Sequence, residues 1–531
     1  MQKELLLADE AIAQGAIDGG LSGVYAYPGT PSTEITEYIQ GSKQAQERNI
    51  HSRWSTNEKT AMEAALGMSF AGKRSLVCMK HVGMNVCADA FVNSGMTGIN
   101  GGVVVLAADD PSMHSSQNEQ DSRFYGNFAM VPMLEPSNQQ EAYDMAYTGF
   151  ELSEKLGYPV LFRIVTRLAH SRSGVERKST KSQNEISFPK DPRQFILLPA
   201  IARQRYQILL DSQEAFIKAS EESAFNKYID GKNKKLGVIA CGIGYNYLME
   251  QFPEGCEYPI LKISQYPLPR KLVEKIANEC DELLVIEDGY PFVEQNLKGY
   301  FASGKNIKGR LDGTLARTGE LNPDHVAKAF GTINKSAYQI PSLVKQRPPQ
   351  MCQGCGHRDM YEALNSVLAE YKDGKVFSDI GCYTLGALPP LRAINSCVDM
   401  GASITMAKGA SDAGLFPAVA VIGDSTFTHS GMTGLLDAVN ENSNITVIIS
   451  DNETTAMTGG QDSAGTGKIE SICLGIGVDP AHIRVVVPLK KNFDEMTQMI
   501  REEIEYKGLS VIIPRRECMQ TLTRKKKAEK K

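Results

Sequence analysis

The stretch from Val419 to Gln461 constrains the fold more than any other part of the chain. It opens on a short apolar run, Ala418 to Ile422, that reads as a buried parallel strand ending in Gly423-Asp424-Ser425-Thr426. The spacing predicts a helix over roughly Gly431 to Asn440, with Leu435, Leu436 and Val439 on its apolar face. A second β-branched run, Ile445 to Ile449, reads as a strand closing in Ser450-Asp451-Asn452-Glu453-Thr454. Strand, helix, strand is the βαβ unit, and sheets built from it collect ligands at the carboxyl ends of their strands. Asp424 and Asn452 therefore fall at two neighbouring strand ends. A hard divalent cation such as Mg²⁺ takes one or two such oxygen ligands and completes its octahedron with phosphate oxygens. The stretch reads as a Mg²⁺-diphosphate site.

At 531 residues, the chain has room for about three domains of roughly 100–200 residues each. Earlier segments repeat the α/β pattern. Val24 to Tyr27, Ser75 to Met79, Val103 to Ala107 and Val160 to Val165 are of strand length, and the Pro28-Gly29-Thr30-Pro31 turn leads to a helix that Ser32 or Thr33 can cap. Ser55 to Glu58 has the spacing of a capping box ahead of an alanine-rich helix, which gives Glu58 an ordinary structural role. Residues from about 171 to 233 read as a polar linker with a helical stretch around Glu214 to Ser223. A further α/β unit starts at the Leu236 to Ala240 strand. Gly242-Ile243-Gly244 follows it, but Tyr247 stands where a dinucleotide-binding loop needs its third glycine, so the signal is weak. Leu283 to Ile286 is another strand, and Pro341 to Pro349 reads as an interdomain linker.

Cys352-Gln353-Gly354-Cys355 comes next, and a C-x-x-C is open to zinc, to a redox dithiol or to an iron–sulfur cluster. Zinc would want a second close pair, and none of the other cysteines supplies one. Cys382, after the Val376-Phe377 strand, and Cys518, after the Val511 to Ile513 strand, fall at strand ends of the same domain. A lone cysteine is more often a small inert core residue. The basic run Arg524 to Lys531 has no apolar face and reads as solvated and disordered.

Composition excludes several classes. A net charge of −5 does not provide the basic face of a general nucleic-acid binder. No apolar run approaches the ~20 residues that span a bilayer. The Met1-Gln2-Lys3-Glu4 start lacks a signal peptide's apolar segment. Eleven cysteines, an odd number in a long chain, do not resemble a secreted disulfide framework. The expected compartment is the reducing cytoplasm, with no membrane and no nucleic acid as partner.

Gly423-Asp424-Ser425 followed by Asp451-Asn452 resembles the thiamine-diphosphate signature, GDG followed by NN, with Ser425 and Asp451 as the two departures. The resemblance extends over YPGTPSTE (27–34), WSTNEKTAMEAALG (54–67), MKHVGMNV (79–86), DDPSMHSSQNEQDSR (109–123), CQGCGHR (352–358), DIGCYTLGALPP (379–390), GDSTFTHSG (423–431) and DNETTAMTGGQ (451–461). Together these are similar to the 2-oxoacid:ferredoxin oxidoreductases, and among them to the large (α) subunits of the indolepyruvate type.

The resemblance implies a thiamine-diphosphate-binding fold of three doubly wound α/β domains. Residues 1–180 would be the pyrimidine-binding domain, 181–233 a linker with helices, and 234–335 a transketolase C-terminal-like domain. A linker at 336–350, a diphosphate-binding domain at 351–520 and a basic tail at 521–531 would follow. It makes Asp424, Asn452 and the Thr454 carbonyl Mg²⁺ ligands, and places Gly381, Cys382, Gly423, Ser425 and Thr426 against the cofactor. Glu58 matches the glutamate that hydrogen-bonds the aminopyrimidine ring and promotes its imino tautomer. Thr30 matches a position near the substrate carboxylate. Cys352, Cys355, Cys382 and Cys518 occupy the positions of ligands to a four-iron–four-sulfur cluster. His81, His114 and His429 lie in matching motifs without an assigned role. The implied reaction is oxidative decarboxylation of an aryl 2-oxoacid, with coenzyme A taking the acyl group and ferredoxin the electrons, in a hetero-oligomer with a smaller β subunit. The sequence ends at Lys531 without the ferredoxin-like cysteine runs of the archetypal subunit, so a separate protein is expected to carry electrons onward. The rivals are a non-oxidative thiamine-diphosphate decarboxylase and a non-catalytic subunit.

Overall fold

The computed structural model describes residues 3–189, 191–300, 305–333, 341–345 and 350–528. Most of the 336–350 linker and the last three residues of the basic tail lie outside the described residues. The chain divides into two compact units, Met1–Gln339 and Ile340–Lys531.

The first unit contains a seven-stranded sheet in the order Gln265–Tyr266, Met133–Leu134, Val160–Val165, Val103–Asp109, Ser75–Lys80, Gly23–Ala26, His51–Trp54. All of its pairings are parallel except the Gln265–Tyr266 edge. The central strands are buried on both faces, so their sequences are near-continuous apolar runs rather than alternating ones, interrupted by the buried Arg163 and Asp109 pair. A five-stranded sheet follows, in the order Asn306–Lys308, Glu282–Ile286, Leu236–Cys241, Ile260–Ile263, Lys227–Ile229. Segment 172–187 is not a free linker. Arg172–Val175 pairs antiparallel with Glu4–Leu7, and the Arg177 guanidinium grips the buried Asp18 carboxylate at 3.0 Å.

The Gly242-Ile243-Gly244 turn serves packing. Gly242 has φ +49, and a Cβ there would lie 2.6 Å from Glu135 Oε1. Glu135 in turn accepts from Arg163 and Tyr266 at 2.5 and 2.6 Å. The protein's own carboxylate thus sits where a dinucleotide reading would put phosphate.

The second unit holds a six-stranded, all-parallel sheet in the order Ser396–Cys397, Lys375–Ser378, Ala418–Gly423, Thr446–Ser450, Ser510–Pro514, Ile483–Val486. Helices cover both faces, and each fully buried Val, Leu or Ile side chain is worth about 1.5–3 kcal/mol. The expected helix after Ala418–Gly423 begins earlier than its apolar spacing indicates. It starts at Asp424 and passes through a π turn, Phe427–Gly431, before Met432–Asn440. The wider turn rotates the downstream register, so Leu435 and Ala438 face the core while Leu436 is 46% exposed. π turns of this kind cluster at functional sites. The basic tail also departs from its disordered reading: Met519–Ala528 is a helix, pinned at its start where the Cys518 N–H donates to the Asn452 carbonyl at 3.1 Å.

Candidate active site

In the second unit, four adjacent parallel strands deliver the predicted residues at their carboxyl ends. Lys375–Ser378 leads to Gly381 and Cys382, Ala418–Gly423 to Asp424, Thr446–Ser450 to Asn452, and Ser510–Pro514 to Cys518. Gly423 is in register with Ser450, which sets Asp424 beside Asp451. Gly381 and Gly423 are both required for space. A Cβ on Gly423 would come within 2.6 Å of the Tyr383 ring, and one on Gly381 would enter the same ring.

Asp424 is 2% exposed, and its Oδ2 is buried without a hydrogen-bond partner. Burial, with the Asp451 charge beside it, pushes its carboxyl up to about 7. An orphaned buried carboxylate oxygen is costly unless a cation meets it, so a divalent ion fits here. Asn452 Oδ1 accepts from the Thr454 N–H at 3.2 Å, and its Nδ2 lies 3.3 Å from His357 Nε2. Burial drives His357 down to about 4, leaving a neutral imidazole that accepts from the amide and fixes which way Asn452 points. Thr454 Oγ1 donates to the Gln461 carbonyl at 2.9 Å, closing the small Thr454–Thr455/Gln461–Asp462 hairpin. Ser425 Oγ lies 2.9 Å from Thr455 Oγ1, so the residue that departs from the GDG pattern ties the two loops together. Thr426 Oγ1 donates to the Ile380 carbonyl at 3.1 Å.

The other departure, Asp451, has a partner of its own. Arg515 Nε donates to Asp451 Oδ2 at 2.6 Å, and the same guanidinium forks onto Glu470 at 2.8 and 2.5 Å.

Cys352, Cys355, Cys382 and Cys518 line one cavity of about 130 Å³, together with His357 and Asn452. Cys355 is the residue before the Gly356–Leu368 helix, and its N–H donates to the Cys352 carbonyl at 3.3 Å. Gln520 Nε2 donates to Cys352 Sγ at 3.4 Å. Burial, and then the neighbouring thiols, push Cys382 up to about 12 and Cys355 above its ordinary value. The Cys355 and Cys382 thiols, held neutral by burial beside their neighbours, are suited to positive charge. Among the described residues, no three of the four sulfurs fall within the 4.8 Å spread of a single-ion group.

In the first unit, Thr30 and Glu58 stand at the same end of the seven-stranded sheet. Ala26 and Trp54 are in parallel register, and Thr30 and Glu58 each lie four residues beyond. Ser55 does not cap the helix Glu58–Phe70. Asn57 does, its Oδ1 accepting from the Thr60 N–H at 2.8 Å. Glu58 is thereby released from the capping-box role. It occupies the first helical position and is 5% exposed, with its carboxylate packed against Gly83, where a Cβ would lie 2.6 Å from Glu58 Oε1. The Thr30 turn is closed on itself: the Gly29 N–H donates to Thr33 Oγ1 at 3.0 Å and Ser32 Oγ donates to the Gly29 carbonyl at 2.8 Å.

Sequence reasoning does not single out His357 or Lys80. His357 sits inside the CQGCGHR motif, and that proximity was its only signal. Lys80, at the end of Ser75–Lys80, lies under the Thr30 turn, with its Cβ 3.2 Å from the Cβ position of Gly29. Burial brings Lys80 down to about 8. Of the unassigned histidines, His81 is buried with Nε2 3.1 Å from the Asn118 carbonyl, His114 meets Glu320 at 3.2 Å on the surface, and His429 lies in the π turn.

Residues 14–208 match the family described as "Pyruvate flavodoxin/ferredoxin oxidoreductase, thiamine diP-bdg", and residues 379–513 match "Thiamine pyrophosphate enzyme, C-terminal TPP binding domain". The fold is shared with a 2-oxoglutarate:ferredoxin oxidoreductase from Magnetococcus marinus, at TM-score 0.51 and 15% identity over 62% of this chain and 65% of that one. Fold and families together define a thiamine-diphosphate-dependent 2-oxoacid oxidoreductase. The indolepyruvate oxidoreductase subunit IorA of Archaeoglobus fulgidus is 37% identical over 100% of this chain and 89% of its own length. That of Pyrococcus horikoshii is 38% identical over 97% and 86%. The chain belongs to the indolepyruvate oxidoreductase subunit IorA family, and so is one subunit of a multi-subunit enzyme. Among the described residues no helix is long and apolar enough to cross a membrane.

Proposed function

We propose that this chain is the large subunit of an enzyme that oxidatively decarboxylates aryl 2-oxoacids, indolepyruvate and phenylpyruvate, to acyl-coenzyme A and CO₂, with ferredoxin as the electron acceptor and a smaller β subunit as partner. The observation that carries the proposal is the convergence of four cysteines on one cavity that also contains Asn452. A simple decarboxylase has no use for such a cavity. The aryl preference rests on the names of the relatives.

Thiamine diphosphate, when bound, supplies the nucleophilic carbon and the electron sink for decarboxylation. Asp424 and Asn452 would hold Mg²⁺ through their side chains and Thr454 through its carbonyl. Gly423, Ser425, Thr426 and Gly381 would line the diphosphate, with backbone N–H groups of the helix start at Asp424 facing its charge. Glu58 would hold a proton at the aminopyrimidine ring, and burial against Gly83 keeps water from competing for it. Thr30 would donate to the substrate carboxylate; the side chain of Lys80 starts under the same turn and carries its ammonium to the Ser115 carbonyl at 2.7 Å. Cys352, Cys355, Cys382 and Cys518 would ligate a four-iron–four-sulfur cluster, which supplies one-electron transfer. The exposed Arg524, Lys525 and Lys526, on the helix that follows Cys518, complement an acidic electron carrier. Cytoplasmic location accords with the free thiols.

The test is an anaerobic assay of the chain with its small subunit against a panel of 2-oxoacids, following viologen reduction, alongside iron and sulfide analysis. No iron, with Cys352→Ala harmless, would leave a non-oxidative decarboxylase. Absence of Mg²⁺-dependent thiamine diphosphate binding would leave a non-catalytic subunit.

A further inference from the structure

Three side chains that the reaction does not use meet in the first unit. Asp9 lies in the first turn of the helix Ala8–Asp18, is 0% exposed, and has no hydrogen-bond partner at either carboxylate oxygen. Glu34 lies in the first turn of the helix Thr33–Gly41, and its Oε2 is likewise buried and unpartnered. His170 ends the short helix Thr166–Ala169, with Nε2 3.5 Å from Glu34 Oε1. One ligand atom from each of the three falls within 4.8 Å of the others.

We propose that Asp9, Glu34 and His170 bind a first-row divalent cation at a site of their own, distinct from the Mg²⁺-diphosphate residues. The argument starts from Asp9. A buried carboxylate with neither oxygen satisfied is among the costliest arrangements a fold can keep, unless a cation compensates it. The charged neighbours acting on Asp9 are Glu34 and Glu10, which worsen its position. His170 is the one group of the three that can bear positive charge, and it is engaged with Glu34.

The donor set then narrows the ion. One imidazole and two carboxylates are three protein ligands with positions left open, the pattern of Zn²⁺, Mn²⁺ and Fe²⁺ sites. Ca²⁺ would require six to eight oxygens, and no thiolate is present to select copper(I). The Glu34 and His170 side chains are each 36% exposed, which gives the ion and its waters a way in while Asp9 closes the inner side.

The position gives the site a role. Glu34 follows the turn that carries Thr30, on the helix which that turn begins. An ion shared with Asp9 and His170 would fasten this helix to Ala8–Asp18 and to the chain beyond Val160–Val165. The three ligands are therefore positioning residues for Thr30.

The site can be titrated without relying on activity. The full-length chain, stripped with a chelator, is saturated with Mg²⁺ and thiamine diphosphate. Mn²⁺ is then added and free Mn²⁺ is read by electron paramagnetic resonance. Mn²⁺ is chosen because it favours carboxylate and imidazole over the cysteine cavity. The expected result is one bound Mn²⁺ per wild-type chain that Mg²⁺ does not displace, with a rise in melting temperature. This equivalent is lost in Asp9→Asn and in His170→Gln, and kept in Asp424→Asn. If Asp9→Asn fails to fold, the partly exposed His170→Gln decides. Wild type binding no such equivalent, or both variants retaining it, overturns the proposal.

Discussion

Gly83→Ala tests the assignment of Glu58 most sharply, because two effects of opposite sign act on one methyl group. Gly83 lies inside the helix His81–Thr97, where alanine is intrinsically better by about 0.8–1 kcal/mol. The added Cβ would sit 2.6 Å from Glu58 Oε1, 2.7 Å from its Cγ and 2.9 Å from its Cδ. Restoring ordinary contact at 3.4 Å requires the carboxylate to retreat by about 0.8 Å. Overpacking of this kind costs about 1–3 kcal/mol, so the helix gain offsets much of it and the net stability change should stay below about 2 kcal/mol. Catalysis has no such offset. A misplacement of about 1 Å in a positioned group costs roughly 10²-fold in rate, equivalent to about 2.7 kcal/mol of barrier. The viologen assay should therefore show kcat/KM falling about a hundredfold while the melting temperature moves by a few degrees at most. A variant that keeps kcat/KM within threefold of wild type would refute the role given to Glu58.

Cys518→Ser should leave the fold intact, since it is the main-chain N–H that binds Asn452, yet lower iron content and abolish viologen reduction; full iron retention would exclude Cys518 as a ligand. The pH dependence of the metal-free chain follows from Asp424, whose folded-state pKa of about 7 lies above its ordinary value. The folded state then binds more protons than the unfolded state between about pH 4 and pH 7, so stability is greatest at the acid end and falls by a few kcal/mol across that window. Denaturant melts should show this slope, Asp424→Asn should flatten it, and Mg²⁺ affinity should rise over the same range as the proton is released. Arg515→Ala leaves the Asp451 carboxylate buried and unpaired and should cost about 3 kcal/mol; adding Asp451→Asn should recover most of the loss in the same melts.

What the sequence made legible follows from burial. Ala418–Gly423 and Thr446–Ser450 are covered on both faces, so their apolar runs stand out, and parallel register then brings Asp424 next to Asp451. His51–Trp54 is an edge strand without a fully buried residue, only Trp54 packing partly against the core. No apolar run marks it, although it delivers Glu58. Ser55 and Asn57 are both good caps two residues apart, and only the three-dimensional path of the chain chooses Asn57. The π turn at Phe427–Gly431 has no local pattern, so apolar spacing alone puts the helix face one step out of register. His357, Arg515 and Glu470 were invisible for another reason: each acquires its meaning from a partner distant in sequence.

One of those distant partners also explains why Asp451, the second departure from the thiamine-diphosphate signature, is tolerable. An aspartate at position 451 would crowd a second carboxylate against Asp424, and the repulsion contributes to the raised pKa there. Arg515 neutralises it from the next strand, in a bridge whose backbone pairs Asp451 with Arg515. The same bridge directs the chain beyond Ser510–Pro514 past Asn452, so that the Cys518 N–H meets the Asn452 carbonyl at 3.1 Å. In the proposed function Asn452 would thus serve the ion with its side chain, and it holds a cysteine with its main chain. A substitution that moved the 451–452 turn would disturb both functions at once. Asp451 and Arg515 are better understood as one device than as a deviation and a coincidence.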